Sequence, residues 1–228
     1  MIKLEHTVLP SPEQMEFVIE GMRNPMNSWD KSDSHTCRQD GSFCMECDHK
    51  NYYCLGENDH SLMQKLSYAG TDHRKFMRMM PVFVRITAPL YWWKEADTYK
   101  IGTVVNSCST MHKIQEKEFT LDDFSHEHLV KTNLLDIIID DLNSNRTIYN
   151  DYDNQSDEFK AKFSKKDVWW QMIQLLPSSY NQTRNVMLNY EVLSNMYHSR
   201  KNHKLDEWRE FCKWIENLPY SDLIVMED

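Results

Sequence analysis

Apolar positions recur every three to four residues along most of the chain, a spacing that predicts a helix-rich fold. Residues 11 to 23 open with Ser11-Pro12-Glu13, a cap with proline in the first turn, and place Met15, Phe17, Val18 and Met22 on one face. Residues 24 to 58 are polar and predict irregular structure. Asp59 or Ser61 can then cap a helix that carries Leu62, Met63 and Leu66 on one side and ends at Gly70. From Met80 the period changes to two. Met80, Val82, Val84 and Ile86 alternate with Pro81, Phe83 and Arg85, which predicts a strand that Ala88-Pro89 breaks. Pro89 suits the first turn of a helix running through Tyr91-Trp92-Trp93 toward Lys100. Thr120 reads as a cap, and His128 to Asn143, with Leu129, Leu134, Leu135, Ile137, Ile138 and Leu142, predicts the best amphipathic helix. Residues 146 to 163 are polar and helix-compatible. Ser164 precedes a helix over Lys165 to Leu176, stopped by Pro177; Thr183 to Leu188 predicts a short strand; residues 189 to 201 and 205 to 218 predict two closing helices. The expected class is α+β with helix dominant, in one domain over residues 1 to 228.

Charge narrows the partners. Lys and Arg number 26 against 35 Asp and Glu, a formal net charge of −9, so nucleic acid is not expected as a bulk partner. Five glycines, none spaced as G-x-G-x-x-G or a P-loop, exclude the glycine-rich phosphate cradles. No apolar run approaches the roughly 20 residues that span a bilayer, and the N-terminus lacks a signal-like stretch; a cytoplasmic protein without membrane partners is expected. Cys37, Cys44, Cys47 and Cys54 fall together with spacings x6, x2 and x6, marking residues 35 to 56 as a cysteine-rich insertion loop. In a reducing compartment that grouping suits a small structural zinc site built on the Cys44-Met45-Glu46-Cys47 chelate, or a loop of unligated thiols.

One stretch offers other chemistry. Aromatic Tyr91, Trp92 and Trp93 precede Lys100, and after Gly102 come Thr103, Asn106, Ser107, Ser109 and Thr110, a dense run of hydroxyl and amide groups. Such a run suits a polar ligand such as a nucleotide, or is simply a turn between helices in which Ser107 caps the second. No G-x-S-x-G elbow accompanies the histidines and serines, which argues against triad catalysis. The neighbours Asp122-Asp123 and Asp140-Asp141 point to different sides of a helix and read as solvated.

Taken in order, these segments resemble the flavin-dependent thymidylate synthases, the ThyX-type family. Gly70-Thr71-Asp72-His73-Arg74-Lys75-Phe76 resembles the family's G-H-x-S-P-x-E-H-x-x-F-T-F stretch, with His73 on its histidine. Counting on from Ala88-Pro89 places Thr98-Tyr99-Lys100 on the R-H-R of the signature R-H-R-x-x-S-x-N-E-x-S-x-R-Y and Thr103 on its first serine. With one extra residue, Asn106-Ser107-Cys108-Ser109 falls on N-E-x-S. Leu176-Pro177 and Asn189 reproduce the L-P-to-N spacing, Arg200 stands on a later arginine, and Met22-Arg23 echoes an earlier A-R-x-S.

The resemblance implies a helix-dominated fold with a central antiparallel sheet, a homotetramer, and reductive methylation of dUMP by FAD, NADPH and methylenetetrahydrofolate. Carried over by position, His73, Tyr99, Lys100, Asn106, Asn189 and Asn195 would bind the flavin. Glu95, Thr103, Ser107, Ser109 and Arg200 would bind the nucleotide, with Arg200 the catalytic residue that polarises the pyrimidine. The departures are pointed. R-H-R has become Thr98-Tyr99-Lys100, an expected arginine is Met111, and another, four residues before Pro177, is Ile173. Lys100 is a point charge without the bidentate fork of arginine. Arg74, Arg78 and Arg85 are the nearest replacements. Three functions follow as alternatives: a flavin-dependent methyltransferase, a non-catalytic nucleotide-binding or scaffolding protein on the same fold, and a zinc-stapled interaction module.

Overall fold

The computed structural model describes residues 1–37 and 53–225. Strands β1 (Lys3–Val8), β4 (Pro81–Pro89), β5 (Val104–Ser107) and β6 (Asn181–Asn189) form an antiparallel sheet in the order β1-β4-β6-β5. Strands β2 (His35–Thr36) and β3 (Tyr53–Cys54) pair antiparallel, His35 opposite Cys54 and Thr36 opposite Tyr53. Helices α1 (Pro12–Arg23) and α2 (Glu57–Tyr68) precede β4, and α3 (Leu90–Ala96) follows it. After β5 come α4 (Thr110–Lys113), α5 (Asn133–Asn150), α6 (Asp157–Lys162) and α7 (Lys165–Leu175). Beyond β6 lie α8 (Tyr190–Arg200), α9 (Asp206–Glu216) and α10 (Asp222–Val225). The helix-dominated α+β class is the one the residues predicted, and the antiparallel sheet is the one the resemblance implied.

The chain divides into two compact units. One holds residues 1–3, 87–97 and 106–184, the other residues 4–86, 98–105 and 185–228. In the first, Ile114, Phe119, Phe124, Leu135, Ile139, Leu142 and Met172 make the core, with Trp169, Ile173 and Tyr180 packed against it. Each such side chain taken from water stabilises by roughly 1.5 to 3 kcal/mol. In the second, Met15, Val18, Met63, Phe76, Met77, Val82, Val84, Leu193, Trp208 and Phe211 are buried.

Local signals placed the well-capped helices. Ser11 and Gln14 close a capping box on α1, Ser164 and Asp167 close one on α7, and the Asn189 side chain accepts from Val192 N to cap α8. Several expectations need correction. Phe17 lies 63% exposed, and Ile19 takes its place on the buried face of α1. Asp59 does not cap α2. It is fully buried, and its carboxylate accepts from Arg23 Nε (2.5 Å), Ser32 Oγ (2.7 Å), Ser34 Oγ (2.7 Å) and the backbone N–H groups of Asp33 and Ser34. The cap comes instead from Asp33, which accepts from Asn58 N and Asp59 N.

Strand β4 continues through Pro89, with Val82, Val84, Ile86 and Ala88 buried on one face; proline at the last strand position costs no interior ladder bond. Helix α3 ends at Ala96, short of Lys100. Helix α5 begins at Asn133 and runs to Asn150, and only Leu135, Ile139 and Leu142 are buried on it. Leu129 lies before the helix, and Leu134 and Ile137 face outward, 55% and 61% exposed. The polar turns beyond Asn143 are helical with their side chains paired: Asn143 accepts from Phe119 N and donates to Phe119 O, while Asn145 and Thr147 donate to carbonyls four residues back. No helix among the described residues is long and apolar enough to cross a membrane.

Candidate functional site

In the unit containing residues 106–184, the segment after β5 forms one wall of a cleft of about 550 Å³ lined by Leu90, Ser107–His112, Ile173, Leu176 and Gln182. Gln182 holds that segment in place: its Nε2 donates to Cys108 O and Thr110 Oγ1, both at 3.0 Å, and its Oε1 accepts from Arg184 Nε at 2.9 Å. Arg184 in turn donates to Asp97 Oδ1 at 2.7 Å and lies 4.1 Å from the Trp93 ring centroid. Cys108 N donates to Thr183 O at 2.9 Å. Ser109, not Ser107, caps α4, accepting from His112 N at 3.1 Å. That bond leaves the Ser109 hydroxyl proton to donate elsewhere.

The cleft is therefore two-natured. Leu90, Ile173 and Leu176 supply apolar wall, and Ser107, Ser109, Thr110 and His112 supply hydroxyl and imidazole groups. Its size and this mixture suit a small ligand with one flat apolar face and several hydrogen-bonding edges. Ser107 and Ser109, both assigned to the nucleotide, line it, and so do Met111 and Ile173, two positions where arginine was expected. Asn106 adjoins it on β5 and is exposed, and Glu95 is half-buried on α3.

The other assigned residues belong to the second unit. Arg200 Nε donates to Tyr99 Oη at 3.0 Å, and the guanidinium carbon lies 5.6 Å from the Tyr99 ring and 4.9 Å from that of the fully buried Trp208. Thr103 Oγ1 donates to Tyr99 O at 2.5 Å. The turn between them uses Gly102 at φ +76°, where a Cβ would sit 2.9 Å from Asn189 Nδ2 and 3.0 Å from Val192 Cγ2; only glycine lets the turn approach α8 this closely. Tyr99, Thr103 and Arg200 are thus joined by hydrogen bonds, and the Gly102 turn lies against Asn189. Lys100 and His73 are exposed.

The flavin set fares differently. Asn189 is 7% exposed and its Oδ1 caps α8, while Asn195 Oδ1 accepts from Arg74 Nη2 at 3.1 Å. The three arginines nominated as substitutes are spent on carboxylates. Arg78 donates through Nε and Nη2 to the two oxygens of Glu191, Arg74 Nε lies 3.4 Å from Glu191 Oε1, and Arg85 Nε lies 3.7 Å from Glu5 Oε2. The hydrogen bond from Arg78, with the charges of Arg78 and Arg74, holds the Glu191 carboxyl below its usual range, and the same bond raises Arg78. These three arginines thus have carboxylate partners, whereas Lys100 of the flavin set is exposed.

Cys44 and Cys47, the core of the expected zinc chelate, lie outside the described residues, so that expectation has no structural counterpart here. Cys37 is half-buried and Cys54 buried, and among the described residues no group of three His, Cys, Asp or Glu side chains is placed to hold a metal. Sequence reasoning missed Gln182, Arg184 and Asp97. Gln182 meets Cys108 across 74 positions, and no local pattern announces such a pairing.

No protein-family model matches the chain, and no curated protein does. Its structure is similar to solved ones. A crystal structure of Thymidylate Synthase X (ThyX) from Helicobacter pylori with FAD and dUMP superposes with a TM-score of 0.63 at 14% identity, covering 99% of this chain and 100% of that one. A second, of flavin-dependent thymidylate synthase ThyX from the same organism complexed with FAD and dUMP, gives 0.61 at 15% identity over 98% and 97%. At these identities the likeness establishes a common fold.

Proposed function

We propose that this chain is a pyrimidine-nucleotide-binding protein built on the fold of the flavin-dependent thymidylate synthases, taking a nucleotide of the dUMP class in the cleft beside Ser107–His112. The observation that carries this reading is convergence. Ser107, Ser109 and Met111, matched as one run to nucleotide-binding and arginine positions of that family, and Ile173, matched separately to another arginine position, line one cleft. Leu90, Ile173 and Leu176 offer apolar surface to a pyrimidine ring, and Ser107, Ser109 and Thr110 offer hydroxyls to its edge or to the sugar. What this chain's residues do is bind and orient; Gln182, braced by Arg184, keeps the hydroxyl segment in position.

A second reading is the full reaction: reductive methylation of dUMP with FAD, NADPH and methylenetetrahydrofolate in a homotetramer, with Arg200 at the pyrimidine. The match over 99% of the chain to a structure described with FAD and dUMP favours it. The commitment of Arg74 and Arg78 to Glu191 favours the first. Thermal melting with dUMP and absorption spectroscopy separate them. A colourless protein that dUMP stabilises supports nucleotide binding alone. Copurified oxidised flavin with dUMP-dependent oxidation of NADPH supports the enzyme. Absence of any shift with dUMP, deoxyuridine or related pyrimidine nucleotides overturns the nucleotide reading.

A further inference from the structure

Next to the cleft is a second cavity of about 330 Å³ lined by Met111, His112, Gln115, Tyr149, Lys165, Lys166 and Trp169. Both cavities lie in the same unit and share Met111 and His112, so a ligand in one adjoins the other. Helix α7 runs along both. Lys165 or Lys166, Trp169 and Ile173 stand at spacings of three and four residues, which puts them on one helical face. That face carries apolar Ile173 into the cleft and the two lysines into the second cavity, about 11 to 12 Å further along the helix axis.

The chemistry of the second cavity differs from that of the first. Two exposed lysines make it the cationic end, and His112 adds an imidazole. Lys165 Nζ lies 4.9 Å from the Tyr149 ring centroid, and Trp169 Nε1 donates to Met111 O at 3.0 Å, fixing the wall shared with the cleft. Gln115 Oε1 is buried without a hydrogen-bond partner among the described residues, while its Nε2 donates to His112 O at 3.2 Å. The acid that follows the lysines, Asp167, is spent in its capping box with Ser164. Asp167 does not line this cavity, so Lys165 and Lys166 are the charged side chains on its wall, and Gln115 Oε1 is an acceptor there without a partner among the described residues.

We infer that this second cavity is the phosphate subsite of the nucleotide cleft: Lys165, Lys166 and His112 replace, from a different place in the fold, the arginines absent at Met111 and Ile173. The inference rests on the nucleotide reading of the cleft and names where its charge is met. The test compares deoxyuridine with dUMP by titration calorimetry on wild-type protein and on Lys165→Gln/Lys166→Gln, a pair of exposed positions that leaves the fold intact. Wild type should bind dUMP more tightly than deoxyuridine. The variant should lose at least about tenfold of dUMP affinity, the scale of one charge-assisted bond, and bind deoxyuridine as before. Raising salt should erode the dUMP preference of wild type and leave the variant flat. If the variant keeps the full preference for dUMP, the subsite is overturned and the cleft reading stands. If wild type binds neither compound, the cleft reading falls and takes the subsite with it.

Discussion

Glu191 is the sharpest place to test how this molecule uses its charges. Its side chain is 11% exposed and faces two guanidinium groups, that of Arg74 at 18% exposure and that of Arg78 at 48%. Glu191→Gln keeps the volume and removes the charge. Arg78 is half in solvent, so its share is small. Arg74 is more enclosed, and losing its counter-charge costs about 1 to 2 kcal/mol. Glu191 also sits in the first turn of α8, where a carboxylate gains roughly 0.3 to 1 kcal/mol from the helix dipole. Leaving Arg78 out, the sum is about 1.3 to 3 kcal/mol, or a melting temperature lower by about 3 to 12 °C for a chain of this size. The sign with pH is determined. Arg78 and Arg74 depress the carboxyl in the folded state, so its stabilisation is fully present above the unfolded value near 4.3 and is lost as pH falls through the folded one. Melting curves of both proteins at pH 7, 5 and below 4 should show a gap that is constant at the first two and closes at the last. A gap within about 1 °C at pH 7, or one that persists unchanged in acid, refutes the argument.

Asp59→Asn should cost more, about 3 to 5 kcal/mol in chemical denaturation, because it strands Arg23 in a site where both side chains are almost wholly buried; a cost under 1 kcal/mol contradicts that role. Gly102→Ala should destabilise by about 1 to 3 kcal/mol from positive φ and the approach to Asn189 and Val192, and equal melting temperatures would show that the turn relaxes freely. Arg200→Ala removes cover from Trp208 as well as the bond to Tyr99, so the ligand-free protein should itself melt lower, by about 2 to 6 °C; an unchanged value would mean the packing contributes nothing. Ser107→Ala with Ser109→Ala should weaken dUMP binding at least about tenfold in calorimetry, and undiminished affinity would move the ligand away from that wall.

What the residues determined by themselves was local. Ser11, Ser164 and Asn189 announce their helices because a cap needs only a side-chain oxygen within three residues of an orphan N–H. The alternation of Val82, Val84 and Ile86 announces β4 because a strand has period two whatever lies beside it. Even the hydroxyl-rich run at Ser107 to Thr110 was visible, since composition alone marks a stretch too polar to be core. The tertiary structure decided everything that depends on a distant partner. Asp59 looks like a cap and is instead the buried acceptor for Arg23, 36 positions away; Arg74 and Arg78 look like spare cations and are held by Glu191, more than a hundred positions on. A charge in a sequence carries no record of whether its counter-charge will be folded against it, and the Coulomb energy that settles its role depends on that distance and on how far both are taken out of water.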